Sequence, residues 1–168
     1  MYMIETGRLG FVPMTKEAIE AVLAGEKQLE KFLGLKMVDG FIEPIHTERV
    51  FPIRLEKLKR NPELSKWYGF VTEKETSTLI GMMGFKTAPD ENGLVEIGYG
   101  IHRLFQGKGY ATEMALALKE WAFKQPDVKG ITATNILNNN ISSIKIVEKL
   151  GMTAVNVNEN TVDYIIHK

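Results

Sequence analysis

The stretch Gln106-Gly107-Lys108-Gly109-Tyr110-Ala111-Thr112 restricts what this chain can fold into more than any other. Val95 to Ile101 leads into it with strand-like alternation, and Glu113 to Lys124 leaves it with helical spacing. A strand, a glycine turn and a helix in that order aim unpaired backbone N–H groups at one point, where the helix dipole also places partial positive charge. Gly107 and Gly109 carry no Cβ, so a phosphate can approach the main chain closely. The stretch therefore reads as a seat for a pyrophosphate. It is not a dinucleotide fingerprint, because Thr112 stands where a third glycine is needed, and the lysine-ended phosphate loop of nucleotide hydrolases is absent. Taken alone it reads equally well as a tight surface turn with a basic tip.

The remaining segments supply a sheet and its cover. Gly7 to Met14 predicts a first strand. Thr15 is placed to cap a helix over Lys16 to Ala24 that Gly25 ends, and Glu26 to Leu35 predicts a second helix with Leu29, Phe32 and Leu33 on one side. His46 to Arg60 reads as helix, kinked at Pro52 or starting near residue 51. Trp67 to Thr72, Leu79 to Phe85 and Leu94 to Ile101 predict three consecutive antiparallel strands, with Glu73 to Thr76 as a polar turn. Gly130 to Thr134 predicts another strand, and Asn138 to Asn140 a turn and cap leading into a helix over Ser142 to Leu150. A hairpin of Met152 to Val157 and Thr161 to Ile166 completes the sheet. The order is that of a mixed α/β layer fold with one main sheet, and no repeat or linker divides residues 1–168, so a single domain is expected.

Composition narrows the function classes. The 21 basic and 21 acidic residues cancel, so no long-range field for nucleic acid is expected. With no cysteine there is no disulfide, thiolate metal site or cysteine nucleophile. His46, His102 and His167 are scattered without metal-ligand spacing, and no metal is expected. No apolar run reaches a membrane span, and Met1 to Thr6 lacks the character of a secretory signal, so a cytoplasmic protein is expected.

Gln106-Gly107-Lys108-Gly109-Tyr110-Ala111 resembles the Gln/Arg-x-x-Gly-x-Gly/Ala signature of GCN5-related N-acetyltransferases (GNAT). The likeness extends to Glu96-Ile97-Gly98-Tyr99, Tyr110-Ala111-Thr112-Glu113, Asn140-Ile141-Ser142-Ser143-Ile144-Lys145, Glu148-Lys149-Leu150-Gly151-Met152 and Glu5-Thr6-Gly7-Arg8-Leu9. These are similar to the ribosomal-protein alanine acetyltransferase (RimJ/RimL-like) subgroup. The resemblance implies an α/β (α+β) acyl-CoA N-acyltransferase fold: a mostly antiparallel sheet of six to seven strands, splayed between strands 94–101 and 130–134, with helices on both faces. It implies acetyl-CoA as co-substrate, with the pyrophosphate on Gln106, Gly107, Lys108, Gly109, Tyr110, Ala111 and Thr112. The pantetheine arm would lie along the strand through Tyr99 to Ile101, and Asn140 and Ser143 would face its thiol end. The acetyl group would pass directly to an amine.

Direct transfer requires a base, an oxyanion donor and a way for the thiolate to leave. Alternation puts Glu96 on one strand face with Gly98 and Gly100, a carboxylate beside two missing side chains, and makes it the candidate base, acting directly or through water. A backbone N–H near Gly100 or Ile101, freed by a bulge, is the family-based expectation for the oxyanion donor. Many relatives carry a tyrosine four residues before the helix-ending glycine; here that position is Val147, and Ser143 is the candidate donor to the sulfur instead. His102 adjoins the turn as a possible phosphate contact or second base. Phe32, Phe41, Phe51, Trp67 and Tyr68 are available as acceptor walls or as core, and Glu30, Asp39, Glu43 and Glu48 as attractors of a cationic amine or as a solvated face. The acceptor stays open between a peptide N-terminus, a polyamine, an amino acid and an aminoglycoside, and the protein between monomer and homodimer. A non-catalytic acyl-CoA sensor and a plain phosphate-binding module are the competing readings.

Overall fold

A computed structural model describes all of residues 1–168. The strands are β1 Ile4–Glu5, β2 Leu9–Pro13, β3 Tyr68–Glu73, β4 Thr78–Phe85, β5 Leu94–Ile101, β6 Gly130–Leu137, β7 Thr153–Val157 and β8 Thr161–His167. The helices are α1 Lys16–Ala24, α2 Glu26–Leu33, α3 Phe51–Arg60, α4 Tyr110–Phe123 and α5 Ile141–Lys149. All eight strands join one sheet in the order β1-β2-β3-β4-β5-β6-β8-β7. The eighth strand, beyond the six to seven expected, is the two-residue β1, which pairs with Gly10 and Phe11 of β2. Every pairing is antiparallel except β5 with β6.

The helices divide between the two faces. On one, α4 buries Met114, Ala115, Leu118 and Ala122 against Val95, Ile97 and Ile131, and α5 adds Ile146 and Val147. On the other, α1 to α3 bury Ile19, Leu29, Phe51 and Leu58 against Val12, Phe70 and Leu79. Local chemistry sets the boundaries. The Thr15 hydroxyl caps α1 by accepting from Ala18 N–H, and Gly25 and Gly34, both with positive φ, end α1 and α2. Phe32 does not share the buried side of α2 with Leu29 and Leu33; it is half exposed. Pro52 explains the segment before α3. Lacking an N–H, it cannot close the preceding turn, and His46 to Val50 form one wide π-type turn in which Phe51 N–H reaches back to His46 O.

The parallel pair positions the site. β5 and β6 match only over Leu94↔Gly130, Val95↔Ile131 and Glu96↔Thr132, and then diverge. β6 is bent where its register with β8 shifts between Ala133 and Ile136, and Asn135 there adopts φ 56°. On its other side β5 runs in unbroken register with β4, from Gly81↔Ile101 to Phe85↔Ile97. The expected bulge at Gly100 and Ile101 is thus absent, because β6, not β5, makes the departure. Close contact keeps β5 against β4: a Cβ on Gly81 would lie 2.3 Å from Gly100 O. Gly81→Ala is expected to force β5 outward and destabilise the protein by about 1–3 kcal/mol, as overpacking does, measured by chemical denaturation.

Candidate active site

The fork between β5 and β6 exposes backbone donors without any bulge. Lys86 N–H donates to Glu96 O, and His102 N–H to Ile80 O. Pairing alternates along antiparallel strands, so residues 96, 98, 100 and 102 of this segment bond toward β4 and residues 99 and 101 face the other way. With β6 gone, the N–H groups of Tyr99 and Ile101 point into the gap. The Gln106 side chain folds back over the end of the strand and donates to Ile101 O at 2.8 Å.

The glycine turn closes the same gap. Gly107 and Gly109 have φ of 78° and 77°, values that favour glycine. Gly109 caps α4, and its carbonyl accepts from Glu113 N–H. The backbone N–H groups of residues 107 to 112 donate to no protein acceptor. A cleft of about 420 Å³ opens in front of them, walled by Tyr99, Ile101, Gln106, Gly107, Gly109, Tyr110, Ala111, Thr112 and Ser143. Lys145 and Lys149 of α5 add two ammonium groups to its rim.

Two expected residues sit elsewhere. Lys108 leaves the cleft wall: its ammonium turns beneath the turn, 3.9 Å from a Glu73 oxygen and 5.6 Å from the centre of the Tyr110 ring. Asn140 is likewise off the wall, because its Oδ1 accepts from Ser143 N–H and caps α5. Ser143 does face the cleft, and its carbonyl accepts from the Tyr99 hydroxyl at 3.4 Å. Burial pushes the Tyr99 phenol up from its ordinary pKa, which keeps it a donor. Val147 is fully buried in the core.

Glu96 lies at the apex of the fork. Its Oε1 accepts from the Thr132 hydroxyl at 2.7 Å, and its Oε2 from Thr134 N–H at 2.9 Å, beyond the last paired residues. Lys86 Nζ stands 3.7 Å away. Glu96 thus ties the two strands together where the ladder ends. His102 caps the short helical turn Arg103–Phe105 by accepting from Leu104 N–H on Nδ1.

A second cavity, of about 240 Å³, lies by the same stretch of β5. It shares Tyr99, Gly100 and Ile101 with the cleft and adds Phe41, His46, Tyr68, Met82 and His102. Phe51 belongs to the core and Trp67 lies elsewhere, under a groove beside α3. Glu30 is occupied locally, accepting from Met37 N–H beside Lys27.

An unexpected pair of carboxylates holds the turn. Glu73 is no turn residue but the buried end of β3, accepting from the Tyr110 and Thr76 hydroxyls, both at 2.6 Å. Glu113, in the first turn of α4, receives Thr6 Oγ1, Arg8 N–H and the Arg8 guanidinium, the last at 2.6–2.7 Å. Arg8 also donates to Lys108 O at 3.0 Å and stacks 4.5 Å above the Tyr110 ring. The sequence signal was Glu113 at the start of a helix together with a tyrosine inside the turn.

Both carboxyls are held below their ordinary pKa. For Glu73 the Thr76 and Tyr110 hydroxyls are the main cause. For Glu113 burial pushes upward, but the hydrogen bonds from Thr6 and Arg8 outweigh it. A depressed folded-state pKa stabilises at pH above the unfolded value of about 4.3, and that stability is lost as pH falls through the folded value. The wild-type melting temperature is expected to drop steeply below about pH 4, where these groups protonate. Glu73→Gln should melt earlier at pH 7, with the gap to wild type narrowing toward pH 3.

Comparison with known proteins bears on the family and the fold. The uncharacterized N-acetyltransferase YjdG of Bacillus subtilis is 29% identical over 98% of this chain and 95% of its own length. The ribosomal-protein-S5-alanine acetyltransferase of Vibrio fischeri superposes with a TM-score of 0.66 at 17% identity, covering 97% of this chain and 94% of that one. The self-immunity acetyltransferase MccE, solved in complex with acetyl-CoA and AMP, gives a TM-score of 0.66 at 15% identity over 97% and 94%. At those identities the two structures establish a shared fold. The acetyltransferase (GNAT) domain family matches residues 8–153, which include the fork, the glycine turn and both carboxylates, and the chain belongs to that family.

Proposed function

We propose that the protein is an acetyl-CoA-dependent N-acetyltransferase that passes the acetyl group directly to a primary amine, either a protein N-terminal α-amine or a small-molecule amine. The observation that carries this reading is the meeting of two cavities across Tyr99, Gly100 and Ile101, where the sheet is split. One cavity is headed by the free amides of residues 107 to 112, and the other takes in none of the residues of the glycine turn. Two substrates entering from opposite sides would touch only there. The complex of MccE with acetyl-CoA, and the ribosomal-protein acetyltransferase among the structural neighbours, support the co-substrate and a protein acceptor respectively.

In this reading the pyrophosphate lies on the amides between Gly107 and Thr112, with Lys145 and Lys149 nearby. The N–H groups of Tyr99 and Ile101 bond the extended arm or the carbonyl oxygen as it becomes an oxyanion. The amine nitrogen attacks the thioester carbon, a C–N bond forms and the C–S bond breaks. An alkylammonium has a pKa near ~10, so the nitrogen must first lose a proton. Glu96 takes it through water, because its oxygens already serve Thr132 and Thr134. The departing thiolate, with an ordinary pKa of ~8.5, gains a proton or hydrogen bond from the Ser143 or Tyr99 hydroxyl.

A sensor that binds acyl-CoA without turnover is the second reading, and buried Val147 at the place of the relatives' tyrosine favours it. Coenzyme A release in the presence of varied amines separates the two: tight acetyl-CoA binding with no release on any amine establishes the sensor. Glu96→Gln keeps an acceptor for Thr134 N–H but loses the base, so kcat is expected to fall on the order of 10²-fold with acetyl-CoA affinity retained. Tyr99→Phe combined with Ser143→Ala should lower kcat by about 10-fold or more if the hydroxyls meet the sulfur. Unchanged kcat in either variant removes the corresponding role.

A further inference from the structure

The geometry points to an acceptor that carries an anionic group on an apolar body, seated in the groove between α3 and the end of β4. This assignment rests on the acetyltransferase reading above and names its acceptor class. The groove, about 440 Å³, has an apolar floor that includes Trp67 and Phe85, whose rings meet edge-on at 6.1 Å. Four cations line it: Arg49 from the wide turn before α3, Arg54 and Lys57 from α3, and Lys86 just past β4. No acidic residue lines it.

The cations are unevenly compensated. Lys86 stands 3.7 Å from Glu96, while Arg49, Arg54 and Lys57 have no carboxylate within ion-pair distance. Arg54 is the informative one. It is partly buried, makes no hydrogen bond to the protein, and lies 4.1 Å above the Tyr68 ring. Burial lowers the pKa of its guanidinium, with no carboxylate to offset that cost. A guanidinium kept partly dry without a carboxylate, in a preorganised position over an aromatic ring, is arranged to receive an anion with two oxygens, as carboxylate and phosphate both provide.

Two residues, Tyr68 and Lys86, stand between the groove and the site of transfer. A methyl group built on Gly98 would have Lys86 and Tyr68 as its nearest neighbours, at 3.7–3.8 Å. Tyr68 walls the cavity that adjoins Gly100, and Lys86 touches Glu96. An amine near Gly98 and Gly100 therefore has its remote end directed past Tyr68 and Lys86 toward Arg54. Polyamines and aminoglycosides, with several positive charges, would meet repulsion from the cations of the groove, whereas Glu43, which lines the inner cavity, suits the single charge of the entering amine.

The test uses four amines on one footing: 4-(2-aminoethyl)benzoic acid, whose amine and carboxylate stand at opposite ends of an aromatic body, its phosphonic acid analogue, its carboxamide and spermidine. Coenzyme A release and calorimetric binding are measured with wild type, Arg54→Gln and the more exposed Lys57→Gln. Wild type should prefer the two acids, and the relative rates of the carboxylate and the phosphonate identify which anion the groove takes. Loss of one charge-assisted contact should raise KM for the acids about 10- to 100-fold, with KM for acetyl-CoA and turnover of the amide unchanged. Turnover of the amide or spermidine above both acids, with no response to either substitution, overturns the groove and leaves the transferase intact. Release on no amine overturns the transferase, and calorimetry then decides the groove alone: binding of either acid that weakens in Arg54→Gln supports it, and no binding overturns it.

Discussion

Glu113 receives hydrogen bonds from Thr6 and Arg8, residues that precede it by more than a hundred positions, while Tyr110 donates to Glu73 on β3. These contacts fasten a glycine turn, intrinsically the most flexible kind of backbone, to the link between β1 and β2 and to the end of β3. A row of main-chain amides binds an anion well only if it is already aligned, since ordering it on binding consumes affinity. The two carboxylates also lie on the side of the turn away from the cleft wall. They brace it by hydrogen bonding, while its amides and the α4 dipole keep their positive character toward the cleft.

The fork in the sheet depends on the same economy of contacts. β6 leaves β5 after three residue pairs, and Glu96 takes over the bonding that the ladder gives up, reaching Thr132 and Thr134. Without it, the divergence would leave Thr134 N–H unpaired at the apex. Glu96 therefore has a structural duty that coexists with any role in proton transfer, and the two are separated by geometry: its carboxylate oxygens are occupied on the strand side, with Lys86 approaching from the groove.

The order of elements, the turn and the face carrying Glu96, Gly98 and Gly100 were legible because each is a local pattern: alternation, helical spacing, glycine where φ must be positive. What escaped depends on contacts across the chain. Glu73 reads as part of a polar turn because all four residues that follow it, Lys74 to Ser77, are polar or charged; Tyr110, brought over by α4, makes it a buried strand end. Asn140 and Lys108 sit inside motifs yet spend their side chains on a helix cap and on the underside of the turn. Arg54 was one charge among many on a predicted helix until Tyr68 came beneath it. The position of the strand break was also out of reach, since the family-based bulge was expected in β5 and the bend occurs in β6.

The alternation along β5 has one more consequence. Even-numbered peptide groups from 96 to 102 are locked into β4, while those of Tyr99 and Ile101 face open space on the side β6 vacates. The sheet is in effect missing a rung. An extended chain with its own amides, such as the pantetheine portion of coenzyme A, can occupy that place as a surrogate strand, gaining the cooperativity of a β-ladder from the host's pleat. Recognition of this kind would be indifferent to side chains on the host, so Gly98 and Gly100 can leave their face bare without removing the open backbone edge that an extended ligand would use.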